Sequence, residues 1–145
     1  MKISTKGRYA LRMLLELAQS PEDQYVALKD IAEHQNISKK YLEQIVPPLS
    51  RAGLLKTNRG YKGGYMLAKN PDLYTVGEIL RVTEGDLSPV PDLEHPENEN
   101  SNIERCISLY VWEGLYKVIT EYVDSITLQD IINHSENLYG NDYCI

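Results

Sequence analysis

The chain has 145 residues, 42% hydrophobic and 25% charged, with 9 glycines and 7 prolines. That is one domain, or one domain with an appended helical segment, and not a disordered or fibrous composition. The net charge of −6 is unevenly spread: residues 1–72 carry 12 basic against 7 acidic side chains, a net of +5, and residues 73–145 carry 3 against 14, a net of −11. This asymmetry argues against a uniformly acidic enzyme and directs the first half towards a polyanion.

No run approaches the roughly 18 apolar residues that span a bilayer. The opening Met1-Lys2-Ile3-Ser4 has no apolar stretch or cleavage signature of a secretory leader, so a cytoplasmic chain is expected. Cys106 and Cys144 stand far apart with no CxxC pair, and free thiols are expected. His34, His95 and His134 are scattered and form no HExxH or triad pattern. The residues offer no carrier for catalysis, no metal site and no cofactor site.

The first helix is predicted from Thr5 to Gln19, with Leu11, Leu14, Leu15 and Ala18 as its apolar stripe and Ser4 or Thr5 as its cap. A short helix follows from Leu28 to Gln35, with Leu28, Ile31 and Ala32 inward. Asn36-Ile37-Ser38 is a tight turn, and Ser38 caps a third helix that begins at Lys39. Its inner face is Leu42, Ile45, Val46 and Leu49; Lys40, Tyr41, Glu43, Gln44 and Pro48 point the other way. A proline removes a backbone donor and its ring clashes with the preceding turn, so Pro47 and Pro48 predict a kink or restart near Val46. Gly53 is placed to terminate the helix.

Leu54–Thr57 and Tyr65–Ala68 read as short strands joined by the Gly-rich segment from Asn58 to Gly64, which carries Arg59 and Lys62. Two short helices, a tight turn and a hairpin with a basic tip make a winged helix-turn-helix. Its second helix fits a DNA major groove, about 12 Å wide, in which lysine meets phosphate or guanine, glutamine meets adenine and glutamate accepts from cytosine. Lys39, Lys40, Tyr41, Glu43 and Gln44 are the candidate reading residues, with Arg59 and Lys62 as wing anchors. The plainer alternatives are a wing-packing role for Tyr41 and an ordinary solvated face for the lysines.

Thr75-Val76-Gly77-Glu78 is a capping box opening a helix to about Glu84. Residues 85–102 read as loop. The longest helix runs from about Ile103 to Asp124, with an apolar arc of roughly 160°, wider than the roughly 100° of an ordinary surface helix. Part of that arc, at Val111, Trp112, Leu115, Val118, Ile119 and Tyr122, is expected to face a second copy in a homodimer. Glu113 and Lys117 read as an i, i+4 pair. A last short helix opens at Thr127 and reaches about Asn133; residues 137–145 read as a mobile tail. The expected fold class is mainly α with a small β-hairpin wing, followed by a long C-terminal dimerisation helix. The expected division is 1–72 for the winged helix-turn-helix, 73–102 for a connecting helix and loop, 103–136 for dimerisation and 137–145 for the tail.

Taken together, Met1-Lys2-Ile3-Ser4-Thr5-Lys6-Gly7-Arg8-Tyr9, Tyr41-Leu42-Glu43-Gln44-Ile45, Arg59-Gly60 followed by Gly63-Gly64-Tyr65, and Ile126-Thr127-Leu128 with Asp130 resemble the Rrf-two family of bacterial transcription regulators. The resemblance covers essentially the whole chain. It implies a winged-helix homodimer that binds a two-fold symmetric operator on double-stranded DNA, usually as a repressor. It also implies that Lys39, Lys40, Tyr41, Glu43, Gln44 and Arg59 match recognition-helix and wing contacts. Cluster-binding members carry three cysteines before the long helix. Cys106 matches the last of these, but Asn100 and Glu94 stand about where the other two would be, and Leu109 replaces a histidine ligand. One thiolate cannot hold a cluster that needs four ligands, so no iron–sulfur cluster is expected. Cys106 is read instead as a buried small apolar residue.

Within the family the chain is similar to the repressors of cysteine metabolism, which bind cysteine synthase. That enzyme accepts partner C-termini ending in isoleucine, and Tyr143 and Ile145 fit the pattern as a partner-binding tail, while the plainer reading makes them ordinary terminal residues. Two alternatives remain open: a repressor sensing a small molecule or redox state near the 85–102 loop, and a protein-interaction adaptor without DNA binding.

Overall fold

The computed structural model describes residues 1–91, 93 and 100–140. The chain forms α1 (Thr5–Gln19), α2 (Leu28–Gln35), α3 (Lys39–Arg51), β1 (Leu55–Asn58), β2 (Gly64–Leu67) and α4 (Val76–Glu84). These are followed by α5 (Asn102–Ile107), a π turn (Ser108–Trp112), α6 (Glu113–Asp124) and α7 (Leu128–Tyr139). It is a mainly helical protein with one antiparallel hairpin, in which Leu55 pairs with Leu67 and Asn58 with Gly64. Both strands lie one residue away from their predicted starts.

The helix starts follow side-chain chemistry. Ser4, Ser38, Thr75 and Thr127 each accept a hydrogen bond from the backbone amide three residues on, which satisfies donors that have no intrahelical partner. At Thr127 the capping box is complete, because Asp130 answers back to the Thr127 amide at 2.9 Å. The box predicted at Thr75 is only half formed: the Glu78 carboxylate turns to Lys69, 3.3 Å away. An ammonium offers a charged partner that an amide does not.

α1 buries Gly7, Ala10, Met13, Leu14 and Leu17, so its inner stripe is centred one position earlier than predicted. Leu11, Leu15 and Ala18 flank it and are half-buried. Gly7, with no side chain, lets the last residue of α4 approach closely. A side chain at position 7 would collide with the Glu84 carboxylate, which accepts hydrogen bonds from the Ser4 amide and hydroxyl at 3.1 and 2.6 Å.

α3 runs unbroken through Pro47 and Pro48, with no restart at Val46. The two missing donors leave the carbonyls of Glu43 and Gln44 without their helical partners. Both residues are exposed, so solvent can satisfy those carbonyls and the helix continues. The helix closes at Ala52, and Gly53 adopts φ +75° just beyond it.

The core gathers Met13, Leu14, Ile31, Leu42, Ile45, Leu49 and Leu54, and continues past residue 72 to Tyr74, Ile79 and Leu128. Each fully buried aliphatic side chain stabilises the fold by roughly 1.5–3 kcal/mol. The Val76 amide donates to the Ile126 carbonyl at 2.8 Å and the Leu128 amide to the Tyr74 carbonyl at 3.1 Å. These two bonds bring the start of α7 beside the start of α4. α7 extends to Tyr139, six residues past its predicted end at Asn133. Packing of Leu128 and Ile132 anchors its first turns, and no Gly or Pro stops it before Gly140.

The long helix is not uniform. A π turn at Ser108–Trp112 interrupts it, a feature the apolar periodicity did not announce. Lys117 pairs with Glu121 at 3.9 Å, and not with Glu113 as predicted. No helix among the described residues is long and apolar enough to cross a membrane.

Candidate nucleic-acid interface

The α2–α3 turn is built for sharp reversal. Asn36 takes a left-handed conformation, φ 53°, and the Ile37 amide reaches back to the Ala32 carbonyl at 3.0 Å. Ile37 is buried beneath the turn, and Ser38 restarts the helix. Four buried aliphatics, Leu42, Ile45, Val46 and Leu49, fix the rotation of α3. That rotation leaves Lys39, Lys40, Glu43 and Gln44 on the exposed face.

Tyr41 lies elsewhere. It is half-buried, with its ring edge-on to Tyr9 of α1, centroids 5.4 Å apart and planes at 77°. The Arg12 guanidinium sits over the other partner, 5.2 Å from the Tyr9 centroid, and donates from Nε to the Gln35 side chain at 3.2 Å and from a terminal nitrogen to the Gln35 carbonyl. Gln35 also donates to Glu16 at 2.9 Å. A chain of contacts thus runs from the end of α2 through α1 to the first turn of α3. Sequence reasoning missed Tyr9 and Arg12, because their three-residue spacing on α1 has no meaning until α3 is placed beside it.

The wing is held by more than its own ladder. The Val26 amide donates to the Tyr65 carbonyl at 2.8 Å and the Tyr65 amide to the Val26 carbonyl at 2.9 Å. Gly64 is required there, since any Cβ would collide with the Val26 backbone. Between α3 and the wing lies an open groove of about 450 Å³, lined by Glu43, Pro47 and Ser50 from the helix and by Asn58, Arg59 and Tyr65 from the wing. The Ser50 hydroxyl oxygen is buried there without a hydrogen-bond partner among the described residues. The structure therefore brings Glu43 and Arg59 to one groove. Lys62, at φ 61°, lines a different groove with Asp23 and Asp30. A surface with exposed lysines on a helix and an exposed arginine on a neighbouring hairpin can place cations on two phosphate tracks while polar side chains meet base edges.

The predicted dimer residues divide into two groups. Val111, Leu115, Val118 and Tyr122 are exposed, together with Ile103 and Ile107; Trp112 and Ile119 are half-buried. No residue of α6 is buried. Ile103, Ile107, Val111, Leu115, Val118 and Tyr122 recur every three or four residues as an exposed apolar row, and Leu109 and Tyr110 are exposed within the π turn beside it.

Cys106 is exposed, against the expectation that it is buried. It stands on α5, which buries no residue against the core. Among the described residues no second thiolate stands beside it. Leu109 has no donor atom, and among the described residues no three His, Cys, Asp or Glu side chains come together to hold a metal ion. Glu94, Tyr143, Cys144 and Ile145 lie outside the described residues.

Comparisons with known proteins agree with this geometry. The family described as Rrf2, iron-dependent transcriptional regulator, matches residues 3–134. The HTH-type transcriptional regulator CymR of Bacillus subtilis is 43% identical over 136 residues, 94% of this chain and 93% of its own. The solved structure of CymR, titled the global cysteine regulator of B. subtilis, superposes with a TM-score of 0.78 at 42% identity, covering 92% of this chain and 98% of that one. IscR of T. potens gives a TM-score of 0.76 at 40% identity over 95% of this chain and 90% of its own. With a winged helix-turn-helix and relatives that are HTH-type regulators, the chain belongs to the Rrf2 family and is a DNA-binding transcriptional regulator, not an enzyme.

Proposed function

We propose that the chain is a homodimeric repressor of cysteine or sulfur-metabolism genes, reading a two-fold symmetric operator and controlled by a protein partner such as cysteine synthase. In this reading residues 1–72, with α4 and α7 packed on their core, form the reading unit, 103–124 the dimerisation segment and the residues after Tyr139 the partner-binding tail; the expected boundaries at 72, 136 and 137 give way because the core runs on to Leu128 and α7 reaches Tyr139. The observation that carries it is the presence of two exposed surfaces on separate elements. One is the polar, cationic face of α3 beside the Arg59 groove; the other is the bare apolar stripe along α5 and α6. Two-fold symmetric pairing of the stripes would present two copies of α3 to successive turns of a palindrome.

Lys39 and Lys40 meet phosphates at the entrance of the major groove, while Glu43 and Gln44 select bases, Glu43 partly by repelling wrong ones. Arg59 and Lys62 hold the wing to the flanking backbone. The acidic second half, net −11, stays away from DNA. Cysteine genes are the regulated class by analogy with the relative at 43% identity, the global cysteine regulator of B. subtilis.

The test is a gel shift on palindromic promoter DNA with a salt titration. Binding should fall steeply as salt rises, because phosphate contacts release counterions. Lys40→Ala and Gln44→Ala should each lower specific affinity by about 1–3 kcal/mol. Absence of binding at low salt would favour the adaptor reading. Removing Ile145 should abolish binding to cysteine synthase and leave the fold intact; unchanged binding would remove the tail from the mechanism.

A further inference from the structure

Tyr61 is 94% exposed at the apex of the wing. An aromatic ring left in water contributes nothing to this fold, yet the backbone beneath it is tightly specified. The Gly63 amide donates to the Gly60 carbonyl at 2.9 Å and closes the tip. Gly60 adopts φ +138° and Lys62 φ +61°, so two of the four residues around the ring occupy conformations that L side chains rarely take. A Cβ at Gly63 would collide with the carbonyls of Asn58 and Gly60. The root of the hairpin is pinned in turn by the paired bonds between Val26 and Tyr65. The ring is therefore carried on a preorganised support, and order at a contact made only with a partner reduces the entropy lost on binding.

Its neighbours specify the partner. Arg59 lies two residues before it and Lys62 one after, both exposed and neither in an ion pair among the described residues. Cation, aromatic, cation on one rigid turn suits a surface that alternates phosphate charge with apolar sugar. The minor groove is such a surface: about 6 Å wide, walled by deoxyribose and floored by acceptors at A·T pairs, with the guanine amino group obstructing the floor at G·C pairs.

We infer that Tyr61 is a specificity-determining residue that inserts into the minor groove beside each half-site. Its ring lies against the sugar wall, and it makes the regulator prefer A·T over G·C at positions the recognition helix does not reach. This rests on the DNA-binding reading above. The cations bring the tip to the backbone, and the ring converts groove shape into sequence preference. Tyr61 adds no charge, so it changes affinity without releasing a counterion.

The experiment uses the full chain and two versions of one palindromic operator, identical in the half-sites and carrying A·T or G·C flanks, in gel shifts over a salt series. Wild-type protein should prefer the A·T version. Tyr61→Ala should lose about 5- to 50-fold in affinity on the A·T version, much less on the G·C version, and keep the wild-type salt slope. Lys62→Ala should weaken both versions alike and lower the slope by about one. Tyr61→Phe should retain the flank preference. At 94% exposure the substitution is not expected to disturb folding, and matched thermal melts verify it. Equal binding by Tyr61→Ala and wild type, an equal loss on both flanks, or a changed salt slope would overturn the inference. Lys40→Ala separates the two readings. If it loses operator binding while Tyr61→Ala does not, only the inference about Tyr61 fails; if wild-type protein does not bind DNA at low salt, both fail.

Discussion

The hydroxyl of Tyr74, fully buried at the approach to α4, donates to the carbonyl of Leu54 at 2.7 Å. The same oxygen accepts from the Ala68 amide at 2.9 Å. Leu54 precedes β1 and Ala68 follows β2, so one hydroxyl closes both legs of the wing. Burial pushes the Tyr74 phenol above its ordinary pKa, with the Ala68 amide acting in the opposite direction. Tyr74→Phe keeps the ring and removes the closure. It should cost about 0.5–1.5 kcal/mol, because the Leu54 carbonyl and the Ala68 amide then keep only their long mutual bond at 3.4 Å. Urea denaturation followed by circular dichroism measures this, and an unchanged midpoint would show that the hydroxyl is dispensable.

Arg81 and Asp124 form a two-pronged ion pair at 2.7 and 2.9 Å that joins α4 to the end of α6. Hydrogen bonds from Arg81 hold the Asp124 carboxyl below the ordinary carboxylate range. A lowered folded-state pKa contributes stability above the ordinary carboxylate pKa, and the contribution is lost as pH falls through the lowered value. The melting temperature of wild type should therefore exceed that of Asp124→Asn at pH 7, with the gap closing on acidification. The pair is partly exposed, so the gap is small. A gap that persists well below the carboxylate range would place the effect of the substitution elsewhere.

His34 carries the opposite sign. Its Nδ1 lies 2.5 Å from the Glu16 carboxylate, and that hydrogen bond, with the Glu16, Asp30 and Glu33 charges, raises its pKa above the ordinary histidine value. A raised folded-state pKa contributes stability below the ordinary value that is lost as pH rises through the raised one. Glu16 also accepts from Gln35, which accepts from Arg12 beside Tyr9, so the same carboxylate serves both His34 and the contacts behind the first turn of α3. Wild type should be more stable than His34→Gln at pH 5.5, and the two should converge by about pH 8. Parallel melting curves across that range would show that the contact does not titrate.

Val118 and Tyr122 are 63% and 67% exposed on the uncovered stripe of α6. If that stripe is the homodimer interface, Val118→Glu places a charge inside it. A buried unpaired carboxylate is costly enough to dissociate a dimer of ordinary stability. Sedimentation velocity should show a shift from dimer to monomer with unchanged helicity, and operator affinity should fall because the two half-sites are no longer engaged together. A variant that still sediments as a dimer would place the interface on another face.

The local code of this protein was legible in its sequence. Ser4, Ser38, Thr75 and Thr127 announce helix starts because a side-chain oxygen satisfies a nearby amide, a contact within three residues. The inward row of α3 and the cations at Lys39, Lys40, Arg59 and Lys62 follow from periodicity and turn chemistry alone. What only the tertiary structure decided depends on residues distant along the chain. The last residue of α4 closes on Gly7 of α1, the pairing of Tyr41 with Tyr9 requires α1 and α3 to be side by side, and Tyr74 meets Leu54 across 20 residues. The helix runs through Pro47 and Pro48 where Glu43 and Gln44 are exposed, and a π turn interrupts the long helix at Ser108–Trp112 with no Gly or Pro at those positions to announce it. Periodicity counts residues along one element, whereas these outcomes depend on which surface arrives to cover it.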